Sequence, residues 1–167
     1  LGEDGQKLSK RHGASSLADL QGAGIPAEAV RAYLDELGLP RHDVNLDTSR
    51  IRRLSIEVLG RLSDEELAER VGVPVSVAPV LRGARDLQEA REYAEQVLSP
   101  EPVAVDAPET IERFRELVEG GVDPKGIVRE LKAVGGNLKA VRLALTGRER
   151  GPELAAVIAA LPREELL

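Results

Sequence analysis

Residues 5–14 read "GQKLSKRHGA". Lys7, Lys10, Arg11 and His12 can all carry positive charge, Ser9 stands between the two lysines, and glycines close both ends. No apolar stripe runs through the stretch. A flexible loop of this kind can fold ammonium groups and backbone amides around phosphate oxygens. It would stabilise charge as a phosphoryl or nucleotidyl group departs, which is electrostatic catalysis without a covalent step. Spacing alone does not separate this from a solvated basic tail.

Other chemistries find little support. His12 and His42 are the only histidines, and neither has carboxylates at metal-ligand spacing, so no metal site is expected. The chain has no cysteine, which removes disulfides, thiolate ligands and thiol catalysis. There is no GxxxxGK[ST] loop and no GxGxxG after a strand. Carboxylates abound, but on helix faces, where a solvated surface is the plain reading. This chain by itself shows no complete active site.

The elements that would position such a loop are helical. A chain of 167 residues suits one moderate domain or two small ones. It is 42% apolar but only 2% aromatic, so its core must be Leu, Val, Ile and Ala. No apolar run approaches the roughly 20 residues that span a bilayer. The start is polar and glycine-rich, unlike a signal peptide, and a cytoplasmic location with no membrane partner is expected. The chain has no methionine and opens on Leu1, so it is expected to be part of a longer protein. Net charge is 0 over residues 1–62, -8 over 63–120 and +2 over 121–167, with +5 inside 125–150. A polyanion would meet the opening loop and residues 125–150, and the acidic middle would repel it.

Nearly every segment after residue 14 has a helical period. "SSLADLQGAG" offers Ser16 as N-cap. "PAEAVRAYLDELG" places Pro26 at N1 and Val30, Tyr33, Leu34 and Leu37 on one face. A helix beginning at Asp47 or Thr48 carries Ile51, Leu54, Val58 and Leu62 inward, widened by Ile56 and Leu59, with Arg50, Arg53 and Arg61 opposite. "SDEELAERVG" carries a capping box from Ser63 and Glu66. "DLQEAREYAEQVL" turns Leu87, Ala90, Tyr93, Ala94 and Val97 inward. Residues 99–108, "SPEPVAVDAP", hold three prolines and no period, and read as a linker. Four further helices follow, with Pro124 and Pro152 at N1. The stretch "VPVSVAPV" alternates like a strand, but its prolines argue against one. The reading is all-α: nine or ten short helices in two lobes, with a seam near 99–108.

"KLSKRHGA", residues 7–14, resembles the second signature of class I aminoacyl-tRNA synthetases, the KMSKS loop, in the form found in the bacterial glutamyl-tRNA synthetase family. "AVRAYLDELGLP" is similar to the family's A-x-x-N-Y-L-x-x-L-G-W segment, with Ala32 for the asparagine and Leu39 for the tryptophan. "IRRLSIEVLGRLSDEELAERV" is similar to its L-x-x-L-N-x-x-Y-I segment, with Ser55 for the asparagine and Val58 for the tyrosine. "RLALTGRERGPEL" resembles the C-terminal R-x-A-L-T-G-x-x-x-G-P-x-L. Together these matches cover about half the chain, in order.

The resemblance implies that residues 1–14 close on ATP, with its Mg2+, while glutamyl-adenylate forms. Lys10 would neutralise charge on the leaving pyrophosphate, and Lys7 and Ser9 would support it. Residues 15–98 would be a stem-contact region and first anticodon-binding lobe, and 109–167 a C-terminal anticodon-binding lobe. Arg50, Arg53, Lys139, Arg142, Arg148 and Arg150 would meet tRNA phosphates, or else serve as solubilising charge. The Rossmann half with the first signature is absent, so the piece alone is not expected to aminoacylate. The interval from the linker to "LTG" is shorter than in typical members, and two Tyr with one Phe leave little for base stacking. A second reading stays open: a synthetase-like paralogue without catalysis, binding protein or RNA.

Overall fold

A computed structural model describes residues 17–38 and 46–166. Lys7, Ser9 and Lys10, and the expected cap Ser16, lie outside these residues. The described residues hold eleven α-helices, one 3-10 turn and no strand.

The first three helices are α1 (Leu17–Gly22), α2 (Ala27–Leu37) and α3 (Thr48–Arg61). Pro26 sits one residue earlier than expected, as the N-cap of α2. The face of α2 is also turned: Ala29 and Tyr33 are buried, whereas Leu34 is 53% exposed. The small Ala29 lets the helix lie close, and the Tyr33 hydroxyl accepts from the Asp47 amide at 2.9 Å. Asp47 in turn caps α3, its carboxylate accepting from the Arg50 amide at 2.8 Å. The buried side of α3 is Ile51, Leu54, Ser55 and Leu59, and Ile56 is left outside, 43% exposed. Ile25, Ala29, Tyr33, Ile51 and Leu54 make a small core, with Leu20, Val30, Leu37 and Val58 packed around it.

From Leu59 onward a second and larger core takes over. It is built by α4 (Asp64–Val71), a 3-10 turn (Val75–Val77), α5 (Ala78–Leu81), α6 (Leu87–Leu98), α7 (Pro108–Glu119), α8 (Pro124–Ala133), α9 (Leu138–Thr146), α10 (Leu154–Ala160) and α11 (Arg163–Leu166). The capping box of α4 is complete: Ser63 Oγ accepts from the Glu66 amide at 3.1 Å, and Glu66 accepts from the Ser63 amide at 2.8 Å. "VPVSVAPV" is the 3-10 turn and α5, so its alternation makes no strand. Pro124 stands at N1 of α8, behind the cap Asp123. Pro152 does not stand at N1 of α10: it is buried in the preceding loop, and the helix begins at Leu154.

Residues 99–107 carry no helix. The apolar core nonetheless continues across them, for Ala90, Ala94 and Val97 of α6 belong to the same cluster as Phe114, Leu117, Ile127 and Leu145. Apolar packing divides instead near the end of α3. Polar contacts tie the two cores: the Leu87 amide donates to the Gly24 carbonyl at 2.9 Å, and Ser55 Oγ donates to the Arg85 carbonyl at 2.7 Å. Arg70 of α4 donates to Glu28 of α2 at 2.6 Å.

Candidate nucleic-acid interface

The basic stretch 125–150 folds into α8, α9 and the loop 147–153. Asn137 starts α9, its side-chain oxygen accepting from the Ala140 amide at 3.0 Å. Thr146 ends it from within. Its hydroxyl donates to the Arg142 carbonyl at 2.9 Å and accepts from the Arg148 amide at 3.2 Å. Gly147 follows in the left-handed conformation, φ 70°, which favours glycine. A β-carbon on Gly147 would overlap the Glu101 carbonyl oxygen, and one on Gly151 would overlap the Gln96 carboxamide. The two glycines of "TGRERG" therefore dock the loop against the end of α6 and the segment after it.

This docking splits the expected tRNA contacts into two depressions. Lys139 and Arg142 line one of about 380 Å3, together with Lys132, Glu149 and Glu153. Arg148 and Arg150 line another of about 470 Å3, with Glu92, Glu95 and Glu101 around them. Lys139 pairs with Glu149 at 2.8 Å, and Arg148 approaches Glu101 at 3.8 Å. Arg148 and Arg150 thus face a mainly acidic wall. Lys132 was counted in the basic stretch but not singled out; only the fold puts it beside Lys139 and Arg142.

Arg142 differs from the others. It is half-buried, and its Nη1 is shut from solvent with no hydrogen-bond partner among the described residues. Burial lowers its pKa, and the nearby Tyr93 acts in the opposite sense. The guanidinium stays charged all the same. One donor shut from water without an acceptor costs on the order of 1–3 kcal/mol.

The two candidates on α3 lie on the smaller core. Arg50 makes a two-pronged pair with Glu36 of α2, its Nε donating at 2.8 Å, and stands 3.9 Å from Glu57. That pair draws the Glu36 carboxyl below the usual carboxylate range. Arg50 is therefore engaged in joining α2 to α3. Arg53 is exposed, with no ion pair among the described residues. Among those residues no group of three His, Asp or Glu could hold a metal ion, and no helix is long and apolar enough to cross a membrane.

No family model matches the chain. Curated relatives do. It is 33% identical to glutamate–tRNA ligase 1 of Chelativorans sp., over 98% of its own length and 45% of the relative's. It is 27% identical to glutamate–tRNA ligase 1 of Dinoroseobacter shibae, over 99% of its own length and 48% of the relative's. A shorter match, 48% identical to glutamate–tRNA ligase 1 of Jannaschia sp., takes in 31% of the chain. The chain therefore spans about half the length of the relatives it matches end to end, consistent with a C-terminal part. The Dinoroseobacter match runs over 228 positions, more than the chain's 167 residues, so that relative carries extra residues within the shared span.

Proposed function

Since this chain is similar over nearly its whole length to glutamate–tRNA ligases, we propose that it is the tRNA-binding portion of such a ligase, carrying the loop that closes on ATP. The observation behind this reading is that similarity, which reaches 98–100% of the chain. In the whole protein, glutamate would be activated with ATP and passed to tRNA in the cytoplasm. The adenylate pocket would lie in the part of the relatives that this chain does not span.

In this proposal Lys10 acts on the leaving pyrophosphate, with Lys7 and Ser9 holding the loop and Mg2+ accompanying the ATP. An ammonium group brought to developing phosphate charge in a closed site lowers the barrier electrostatically. The tRNA side of the proposal favours Lys132, Lys139 and Arg142, because these three cations line one depression against two carboxylates. Arg53 would add a phosphate contact from the smaller core. Arg148 and Arg150 are weaker candidates beside Glu92, Glu95 and Glu101, and Arg50 is occupied by Glu36.

The test uses the protein in which the chain is joined to its upstream half. Lys10→Ala should depress ATP–pyrophosphate exchange by at least about a hundredfold, the scale of one lost charge-stabilising group. Its tRNA affinity should stay within about threefold of the parent, a difference under 1 kcal/mol. Unchanged exchange would remove the loop's role. A second reading, the non-catalytic paralogue, is favoured by the acid surrounding Arg148 and Arg150, and a protein that never forms adenylate would support it.

A further inference from the structure

The acidic middle of the chain is not featureless. The helix-free segment 99–107 lies along α7, and between them runs an open groove of about 840 Å3. Its apolar lining includes Pro102, Val103, Val105 and Ile111. Val103 is 44% exposed, a large apolar side chain left outside the core. Glu112, Glu116 and Glu119 line the groove from one face of α7, at i, i+4 and i+7. Glu116 is paired with Arg113 at 2.8 Å, and Arg115 is the one cation lining the groove. Glu112 and Glu119 have no ion pair among the described residues. Residues 101–119 hold six carboxylates against two arginines.

The backbone beside the groove makes few internal hydrogen bonds. Among the described residues, 101–106 make one backbone hydrogen bond, from the Val103 amide to the Leu143 carbonyl at 3.3 Å. Backbone amides and carbonyls outside helices can pair with an added extended chain. An RNA would bring phosphates against three carboxylates and is repelled.

We propose that this groove docks an extended segment of a protein partner in which apolar and basic residues alternate. The apolar side chains rest on Val103, Val105 and Ile111, and the Lys or Arg groups meet Glu112 and Glu119. Alternation follows from the period of two in an extended chain, which turns one set of side chains to the apolar lining and the other to the carboxylates. Charge complementarity selects the partner and the apolar lining holds it. The inference is independent of the tRNA reading, because it uses the surface that RNA avoids.

The probe is a fluorescein-labelled twelve-residue peptide alternating Lys and Val, titrated against the full chain by anisotropy. A Lys-Ser peptide of equal charge is the control. The Lys-Val peptide should bind at least about tenfold more tightly, a difference near 1.4 kcal/mol. Val103→Asp should weaken it at least about tenfold, and so should the Glu112→Gln/Glu119→Gln pair. Both variants should keep the parent's unfolding midpoint and tRNA affinity, since the altered side chains are exposed. Equal binding of the Lys-Ser peptide would overturn the proposal, as would indifference to the carboxylate pair. So would self-association of the chain that Glu112→Gln/Glu119→Gln abolishes, which would make a second copy the occupant.

Discussion

Gly147 lies flat against the carbonyl of Glu101, forty-six positions earlier in the chain, with no room for a β-carbon between them. That contact fastens the loop after α9, which carries Arg148, to the helix-free segment.

Gly147→Ala meets two costs at once, a left-handed backbone and an overlap with Glu101. Gly135→Ala meets only the first: φ is 72°, and a β-carbon there would stand in open space. Gly135→Ala should therefore lose about 1–2 kcal/mol. Gly147→Ala should lose more, about 2–4 kcal/mol once displacement of Glu101 is added. Urea unfolding of both variants checks the ranking, which equal midpoints would contradict.

Ser63→Ala removes one half of the capping box on α4 and should cost about 1 kcal/mol. Glu66→Gln keeps a side-chain acceptor for the Ser63 amide and should cost less. Thermal unfolding of the two variants distinguishes them.

The capping box was legible because it is local: Ser63 acts on an amide three residues away, so its chemistry is written in adjacent letters. Asp47 and Asp123 cap at the same spacing, where the letters were read only as a helix start and as proline at N1. The rotation of α2 was not legible, since it is set by Tyr33 reaching Asp47 and by the smallness of Ala29 against α3. Nor was the division of the core. The prolines of 99–108 do break the helix, but a break in secondary structure is not a break in packing, and α6 and α7 still belong to one apolar cluster. The splitting of the basic residues likewise depends on Gly147 and Gly151 meeting Glu101 and Gln96, contacts no periodicity reveals. The motif at 7–14 was the plainest signal in the letters, and it lies outside the described residues.

Acid should loosen the molecule at its salt links. Glu28 is held below its ordinary pKa chiefly by the hydrogen bond from Arg70, and Glu89 chiefly by those from Arg85. Carboxyls with depressed folded-state values add stability above their unfolded value, about 4.3. They lose it as pH falls through the lower folded value. Unfolding midpoints should thus hold from neutrality to about pH 5 and drop below about pH 4. Glu89→Gln should flatten part of that drop, because Glu89 is only 14% exposed. An identical acid profile in the variant would contradict its share.

Arg142 should trade stability for function. Arg142→Met keeps most of the volume and deletes a cation whose Nη1 has no acceptor among the described residues. The unfolding midpoint should be unchanged or higher, as when a strained buried charge gives way to an apolar side chain. RNA affinity should fall at least about tenfold. A variant that loses stability and keeps its affinity would show Arg142 to be structural.

In the proposed function this chain holds tRNA through the depression at Lys132, Lys139 and Arg142. The most direct measurement is anisotropy of a labelled glutamate tRNA titrated with the full chain at a series of salt concentrations, beside Lys139→Gln and Arg142→Met. The expected result is saturable binding whose log affinity falls linearly with log salt, with a slope of about -2 or steeper. Each substitution should weaken binding and make that slope shallower by about one phosphate contact. Absence of saturable binding at low salt, or an affinity indifferent to salt and to both substitutions, would contradict it.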